Sequence, residues 1–486
     1  MGTGYANGGA STTKKTLKSW RPQHFSPRWD IDEHIGLLRS RAADLVMNDA
    51  VASAIVQTLT NGTIGAGLKL FPRIKADELD MTQEQARLWS RNVKREFNLW
   101  AANQNACDFL RRNNFFELQQ LAARAMFSDG DCFVLFKRRP PEKLMPYSLR
   151  IQLLDAQRVS NPISGLGSQV EMVLGKNRIV RGIEVDKQGS LVAIHVANKI
   201  LYEPNLLQPD ISWQRVLWHG QQTGLPNILH LCKDQSPDQF RGTPVISPVI
   251  ESLKQINRYA DAELSASIIR SFFAIFFTQN QTNWSMNQIT GQQLEDDAET
   301  AAKNFKIGSP SVMNLPLGID VKSIGSSNAQ STFGEFISTF IKNACAAVGL
   351  PAEVVMKTFN ASYSASRAAL LQAEDEFRTR RKAFISDFCT PIYELFLTEA
   401  IALGRIDAPG FFDDPIKHQA YLAADWYSEK TKALDPLKEV SAQTKRLENG
   451  LSTYSKELAE SAGLDFDDVI ETLNQERQFL KTSQEE

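Results

Sequence analysis

The sequence has few cysteines, and they do not occur at metal-ligand spacing. There are five, widely separated, at Cys107, Cys132, Cys232, Cys345 and Cys389. An odd number at such spacings suits neither a disulfide framework nor a zinc site. The six histidines show no zinc-ligand spacing either. We therefore expect no metal and no other cofactor.

Long apolar runs are also missing. The longest run is Phe272 to Phe277, whereas a membrane-spanning helix needs ~20 apolar residues. The N-terminus has no apolar core of the kind that marks a secretory signal. The sequence thus predicts a soluble intracellular protein with no membrane partner.

A surplus of basic charge is absent. Lysine and arginine together number 54, against 56 aspartate and glutamate residues, which gives a net charge of −2. Proteins that grip duplex DNA tightly are usually basic, because they neutralise closely spaced phosphates. This balance argues against a DNA-binding regulator. It is compatible with a protein past which DNA slides without sticking.

Catalytic motifs are absent as well. The sequence contains neither a Walker-type phosphate loop nor the G-x-S-x-G motif of serine hydrolases. Gly62, Gly65 and Gly67 follow a predicted helix and precede a predicted strand, which is the wrong order for a phosphate site at a helix N-terminus. Asp129 and Asp131 in the segment SDGD are typical of a turn, with a metal-binding carboxylate pair as the alternative. We expect no enzymatic activity.

What the sequence does contain is an ordered series of predicted segments. At 486 residues it exceeds what one hydrophobic core usually supports, so two or more packed regions are expected. Helices are predicted at Leu37–Thr60 and at about 82–101, followed by short strands up to about residue 232. A long helix is predicted from Ser247-Pro248, where serine suits the N-cap and proline the first helical position. Such a mixture predicts an α+β fold.

The strongest pattern is a pair of amphipathic helices between residues 333 and 384. The first ends at the Gly-Leu-Pro sequence of 349–351, and the second is predicted to begin at Ser366. The polar segment 352–364 joins them. We interpret the basic run 378–382 as a solvated helix face, with a subunit-facing or DNA-facing role as the alternative. A helix–loop–helix with so little chemistry suggests a mechanical part.

Four blocks of this sequence resemble one family. The matching residues are Ala346, Ala347, Gly349, Leu350, Pro351, Tyr363, Ser364, Ser366, Arg367, Ala368, Ala369, Leu370 and Leu371 in the paired helices, the segments from Arg39 and Asn61 near the start, His230, Gln239, Arg241, Gly242 and Pro244 in the middle, and Asp435, Pro436, Lys438, Glu439, Ala442, Gly450 and Thr453 near the end. In this order they are similar to the lambda-type portal proteins of tailed bacteriophages. The resemblance covers roughly residues 36–475.

The resemblance implies a mostly helical portal fold within the α+β class. It implies a flexible basic arm at 1–28, an α+β wing at 29–246, a two-helix stem at 247–275 and 331–349, a small clip at 276–330, a tunnel loop at 350–364, a long helix with a return to the wing at 365–427, and a helical crown with an acidic tail at 428–486. The arm, which contains Lys14, Lys15, Lys18, Arg21 and Arg28, is either a tail without a role or a contact for nucleic acid or a neighbouring subunit.

The resemblance also implies a function. Portal proteins form a ring, expected to be a dodecamer, at one vertex of the capsid, and double-stranded DNA passes through it during packaging and ejection without sequence specificity. The implied partners are the terminase large subunit, the major capsid protein and the head–tail connector or adaptor proteins. The implied location is the portal vertex of the virion, after assembly in the host cytoplasm.

The tunnel loop is the candidate site for DNA contact. Its candidate residues are Lys357, Asn360, Ser362, Tyr363, Ser364 and Arg367. Duplex DNA carries one negative charge per ~1.7 Å, so a strongly basic collar would hold it and stall its movement. A rim with few charges and several hydrogen-bonding groups can follow DNA without holding it.

Two alternatives from other functional classes stay open at this point. One is a metal-dependent nuclease that uses Asp129 and Asp131. The other is a DNA-binding or scaffold protein that acts as a monomer or dimer. A ring with a central hole would distinguish the portal hypothesis from both.

Overall fold

The structure is a computed structural model that describes residues 10–11, 13–23, 25–162, 171–200, 211–272, 276–279, 319–322, 330–359, 362–428 and 436–485. Most of the predicted clip and parts of the predicted arm lie outside these residues. The chain divides into two compact units, residues 1–250 with 345–486 and residues 251–344. The described residues mix helices with antiparallel sheets, in agreement with the predicted α+β class.

Helices contribute most of the regular structure. The α-helices are α1 (Ile35–Asn48), α2 (Ala50–Thr63), α3 (Gln83–Ala101), α4 (Gln104–Cys107), α5 (Phe115–Asp129), α6 (Ile250–Phe272), α7 (Gln330–Ala347), α8 (Ala352–Met356), α9 (Tyr363–Phe384), α10 (Thr390–Ala402), α11 (Pro415–Leu422), α12 (Pro436–Glu448), α13 (Tyr454–Ala462) and α14 (Phe466–Glu485). Short π-helical turns lie at Arg28–Asp32 and Ile385–Cys389, and 3-10 turns at Ala76–Leu79, Ala156–Arg158 and Ser247–Val249. Within the described ranges, no helix combines the length and the apolar composition that a membrane crossing requires.

The strands form small antiparallel sheets. They are β1 (Lys69–Pro72), β2 (Asp131–Arg138), β3 (Leu149–Leu154), β4 (Glu171–Leu174), β5 (Asn177–Val180), β6 (Ile183–Val185), β7 (Leu191–Ala197), β8 (Trp213–Leu217), β9 (Ile228–Cys232), β10 (Phe276–Gln279), β11 (Ile319–Lys322) and β12 (Ala424–Tyr427). One sheet has the order β3-β2-β9 and another the order β4-β5-β6-β7-β8, while β1 pairs with β12 and β10 with β11.

The predicted single helix Leu37–Thr60 is wrong, because the structure has two helices there. The Asp49 backbone is extended, and its carboxylate accepts a hydrogen bond from the Ala52 N–H at 2.6 Å. Aspartate favours this N-cap geometry, so it ends α1 and starts α2 in one step. Helix α3, by contrast, was predicted correctly from Thr82, which forms a reciprocal capping box with Gln85.

An aromatic core holds the helices of the larger unit together. The ring of Phe97 on α3 lies 5.4 Å from Phe115 and 5.1 Å from Phe396, both edge-on. Trp100 packs beside them, and its indole N–H donates to the Leu149 carbonyl at 3.0 Å. Burying each such side chain contributes about 1.5–3 kcal/mol. This core joins α3, α5, α10 and the start of β3.

A second core lies between the two larger sheets. It contains Phe133 of β2, Ile183 of β6, Ile194 of β7 and Ile228 of β9, all buried. Core members on one strand lie two residues apart, as Phe133 and Leu135 do on β2, while the residue between them is also buried, so both faces of this strand are covered. The short strands predicted for the wing therefore form two sheets that share one apolar layer.

The long helix after residue 246 begins differently from the prediction. Ser247 and Pro248 open a 3-10 turn, Ser247–Val249, and α6 starts at Ile250. The Ser247 hydroxyl is buried and has no hydrogen-bond partner among the described residues, so the predicted serine cap is wrong. Proline keeps the predicted place in the first turn, where its missing N–H costs nothing.

The smaller unit contains the helix pair predicted as the stem. The ring of Tyr259 on α6 lies 5.4 Å from Phe333 and 4.9 Å from Phe336, both on α7. Phe336 in turn lies 4.5 Å from Phe340, one turn further along. Aromatic residues at helical spacing thus join the two helices.

Candidate nucleic-acid interface

The chain leaves α7 through a fixed turn. Gly349 has φ +82°, a conformation that favours glycine, and its N–H donates to the Ala346 carbonyl at 3.0 Å. The Leu350 N–H donates to the Cys345 carbonyl at 2.9 Å, and the Leu350 side chain is buried. Such a helix end, closed by a glycine and an apolar anchor, sets the direction in which the next segment departs.

The predicted tunnel loop is not a loop throughout. Helix α8 (Ala352–Met356) follows Pro351, and Val355 within it is buried. The helix ends at Lys357, whose φ of 55° is left-handed, and the Thr358 N–H returns to the Glu353 carbonyl at 3.1 Å. A second anchor therefore holds the segment just before its tip.

The tip comprises residues 356–359 and 362–367, and nearly all its side chains face solvent. Lys357, Ser362, Tyr363, Ser364 and Arg367 are all exposed. Asn360, the remaining candidate, lies outside the described residues.

Two apolar side chains of the tip were missed. Met356 and Phe359 are both exposed, whereas the sequence was interpreted as a polar segment. The sequence offered a signal for them, because both are apolar residues in the joining segment and belong to the apolar face of neither flanking helix.

The return helix starts earlier than predicted, at Tyr363 instead of Ser366. The Ser362 hydroxyl caps it by accepting from the Ala365 N–H at 3.4 Å. Tyr363 and Ser364 thus belong to the first turn of α9, where free backbone N–H groups and the helix dipole favour a negative charge. The start of α9 therefore adds a partial positive charge to the tip.

Tyr363 lies between two cations. Its hydroxyl accepts from Arg367 at 3.5 Å, and the Lys438 ammonium of α12 lies 5.4 Å from its ring centroid. Cation–π contacts of this kind contribute about 0.5–1 kcal/mol at exposed sites. The start of α9 is therefore linked to a helix of the predicted crown.

The basic run 378–382 is not uniformly a solvated face. Arg381 donates to the carbonyls of Thr63 at 2.8 Å and Gly62 at 2.6 Å, which lie at the end of α2. Arg380 donates to the Val348 carbonyl at 3.2 Å. These two arginines supply donors for helix-end carbonyls that lack partners in their own helices. Of the four basic residues, Arg378 and Lys382 are exposed, whereas Arg380 and Arg381 are partly buried.

A buried cluster of charged side chains joins α1 to β2. Asp131 accepts from Arg39 at 2.6 Å, from Arg241 at 2.7 Å and from His230 at 3.2 Å. Burial alone would raise the pKa of Asp131, but the charges of Arg241 and Arg39 outweigh it and hold the pKa far below its ordinary value. The cluster brings together residues from separate blocks of the sequence.

This cluster contradicts the alternative of a metal-binding pair at Asp129 and Asp131. Both Asp131 oxygens accept from guanidinium groups, which occupy the positions that a cation would take. Burial and the negative charge of Asp155 raise the pKa of Asp129 to about 6, and Asp129 holds Arg39 through its backbone carbonyl at 2.7 Å. Over the described part of the chain, no group of three metal-ligating side chains occurs.

The sequence is similar to those of known phage proteins. The family described as "Phage portal protein, lambda family" matches residues 13–381. Portal protein B of Escherichia phage lambda is 23% identical over 484 residues, covering 96% of this chain and 87% of that protein. The portal protein of Escherichia phage N15 is 22% identical, with 96% and 88% covered. Among solved structures, a chain of the virion of a native gene transfer agent particle has 13% identity and a TM-score of 0.44, covering 88% of this chain and 92% of that one.

Proposed function

Because the chain belongs to the lambda family of phage portal proteins, we propose that it is the ring subunit at one capsid vertex through which double-stranded DNA is packaged and ejected. The observation that carries this proposal is the family match over residues 13–381. Each subunit would present one patch to a different patch on its neighbour, and this heterologous contact closes into a ring, expected to be a dodecamer.

The exposed tip is the proposed DNA contact. Between residues 350 and 367 the charged side chains are Glu353, Lys357 and Arg367, so electrostatic attraction to the duplex is weak. Tyr363 and the capped start of α9 add hydrogen-bond donors. The buried anchors Leu350 and Val355 keep the tip in place while DNA moves past it.

The other partners follow from this role. The sequence has no Walker-type phosphate loop, so the energy of packaging comes from a terminase large subunit that docks on the ring. The major capsid protein surrounds the ring in the virion, and head–tail connector proteins bind after packaging. The subunit is made in the host cytoplasm and ends in the virion, without a catalytic step of its own.

Imaging of the purified protein tests the ring. We expect single-particle images to show a closed ring with an open bore, and residues 350–364 to point toward the symmetry axis. Small particles under conditions that assemble related portals, a bore too narrow for a duplex, or a tip buried far from the axis would contradict the proposal.

Variants of the tip test the DNA contact separately. We expect Lys357→Ala, Asn360→Ala and Tyr363→Ala to form rings but to impair DNA packaging or retention. Lys382→Ala is the matched control, since it removes an exposed lysine of α9 outside the tip. If the three tip variants package and retain a full genome as the control does, the tip assignment is wrong even where rings form.

A nuclease assay addresses the remaining enzymatic alternative. We expect no divalent-metal-dependent cleavage of duplex DNA. Asp129→Asn is the informative variant, because Asp131→Asn would also remove the counter-charge of two buried arginines. If the protein cleaves DNA in a metal-dependent reaction and Asp129→Asn abolishes that cleavage, the expectation of no nuclease activity is wrong.

A further inference from the structure

Arg150 is a wholly buried arginine, and only some of the N–H groups of its guanidinium donate hydrogen bonds. It lies on β3, and its Nη1 donates to the carbonyls of Tyr147 at 2.8 Å and Leu149 at 2.9 Å. Its Nε and Nη2 are buried and have no hydrogen-bond partner within the described residues. A buried donor left unpaired costs about 1–3 kcal/mol, so native structures nearly always supply an acceptor.

The neighbours of Arg150 on the β2–β3 hairpin are also basic. Lys137 stands directly opposite Arg150 in the strand register. Arg139 is two residues further along the same face, and its N–H pairs with the Ser148 carbonyl at 2.9 Å. Burial, followed by the charge of Arg139, lowers the pKa of Arg150, and the negative charge of Glu399 offsets only part of this effect. Like charges at facing strand positions are destabilising unless something offsets them.

Arg139 has an open donor of its own. Its Nη2 donates to the Phe109 carbonyl at 2.9 Å, and its guanidinium carbon lies 4.6 Å from the centre of the Phe109 ring. These contacts fix the plane of the guanidinium. Its Nε is buried and, like the two donors of Arg150, unpaired among the described residues. The hairpin thus holds two oriented guanidinium groups with unused N–H donors.

The carboxylates around this face are engaged elsewhere. Glu399 accepts from Arg138 at 2.8 Å and from backbone N–H groups at the start of β3. Asp108 accepts from three backbone N–H groups of the loop that follows it. Glu142 pairs with Arg111 at 3.3 Å on the surface. In the part of the chain that the structure describes, none of them reaches the open donors.

We propose that Arg150 and Arg139 bind a small inorganic oxyanion of the phosphate class, held between the β2–β3 hairpin and the loop 108–113. Guanidinium groups present their N–H donors as a planar fork that matches an oxyanion. A water molecule would pair the donors without adding negative charge, whereas an anion supplies both acceptors and charge. Because Arg150 is wholly buried, the phosphate of an intact duplex cannot reach it, and the proposed ligand is a free anion.

The site does not depend on ring formation or on DNA, so it can be tested on the free subunit. The melting temperature of the full-length protein is measured against inorganic phosphate, with sodium chloride keeping the ionic strength constant. We expect a saturable rise, because a ligand of the native state stabilises it. Arg139→Gln, at a partly exposed position, should weaken phosphate binding tenfold or more. Arg138→Gln is the matched control, since Arg138 is the next residue and points to the opposite face, toward Glu399.

Each outcome decides for or against the site. If Arg139→Gln does not fold, Arg139→Lys keeps the charge without the planar fork and should also weaken the phosphate effect. A high-resolution map in phosphate buffer should show tetrahedral density between Arg139 and Arg150. Three results would overturn the proposal. The melting temperature could rise as much in chloride as in phosphate, or it could rise equally in wild type and in either Arg139 variant. The map could also show density the size of a water molecule. A short DNA duplex that reproduces the rise would overturn it too, by indicating a surface phosphate contact.

Discussion

At the residue scale, Glu184 is a buried carboxylate whose partners come from three neighbouring strands. It accepts from Asn177 of β5 at 2.6 Å, from Arg215 of β8 at 2.7 and 2.9 Å, and it contacts His195 of β7 at 3.1 Å. The bonds from Arg215 outweigh the effect of burial and, with those of the other partners, lower the pKa of Glu184 to about 2. One side chain therefore ties four strands of the five-stranded sheet together.

Replacing Glu184 should give a pH-dependent loss of stability. A lowered carboxyl pKa stabilises the fold above the unfolded value of 4.5, and this stabilisation disappears as the pH falls toward 2. We expect Glu184→Gln to lower the free energy of unfolding by about 2–3 kcal/mol at pH 7, and by less at pH 3.5. Urea unfolding at both pH values measures the difference. The exposed Glu142→Gln serves as control, and an equal loss at both pH values would contradict the expectation.

Two other carboxylates, Asp131 and Asp129, should affect stability in opposite directions when each is replaced by asparagine. Asp131→Asn leaves Arg39 and Arg241 buried without their counter-charge, which costs about 3–5 kcal/mol. The pKa of Asp129 is raised from 3.8 to about 6, so its ionisation weakens the fold as the pH rises through that range. Asp129→Asn should therefore melt higher than wild type at pH 8, with little difference at pH 4. Melting curves that move in the same direction for both variants would refute this assignment.

At the scale of elements, helix boundaries can be predicted where the capping residue acts locally. Thr82 and Gln85 lie three residues apart and define the start of α3. Asp49 has the same kind of role, but it lies inside a continuous apolar pattern, so periodicity alone joins α1 and α2. A capping residue inside a periodic apolar pattern can be predicted only if its own preference for the N-cap is considered together with the periodicity.

The candidate site also has features that local sequence rules predict and features that they do not. The sequence Gly-Leu-Pro at 349–351 predicts the end of α7, because the requirement for a left-handed residue is local. The inward positions of Arg380 and Arg381 cannot be predicted in this way. Arg381 contacts Thr63 across 318 residues of sequence, and a basic run on a helix gives no sign of such a partner. Local rules therefore give the tip, whereas its support depends on tertiary contacts.

The turn at Gly349 offers a test of that support. A Cβ at this position would lie 3.2 Å from the Glu376 carboxyl carbon, and φ +82° disfavours any side chain. We expect Gly349→Ala to cost about 1–2 kcal/mol and to reduce DNA packaging, because the tip loses its fixed direction. Gly334→Ala is the control, since its site is open and lies inside α7, where alanine adds about 0.5–1 kcal/mol. Chemical denaturation would measure both, and an unchanged Gly349→Ala would show that the turn is not constrained.

At the scale of the whole molecule, exposed apolar residues of α12 are a candidate contact between copies in the proposed ring. Helix α12 has no buried residue within the described chain. Leu437 is 81% exposed and Val440 58% exposed, and the two lie three residues apart on one side of the helix. An isolated subunit gains nothing from such a stripe, whereas a ring gains by covering it. The contact of Lys438 with Tyr363 places this helix beside the tip.

A charge on this stripe should separate folding from assembly. Val440→Asp changes an exposed position, so the free energy of unfolding of the subunit should move by no more than about 0.5 kcal/mol. In a ring the same carboxylate would be buried without a partner, a cost large enough to prevent closure. Ser441→Asp, an equally exposed change one residue further round the helix, is the matched control and should assemble normally. Circular dichroism would verify folding and native mass spectrometry would count subunits. Rings of Val440→Asp as abundant as those of wild type would mean that α12 faces solvent in the assembled particle, and that the closing contact lies on another surface.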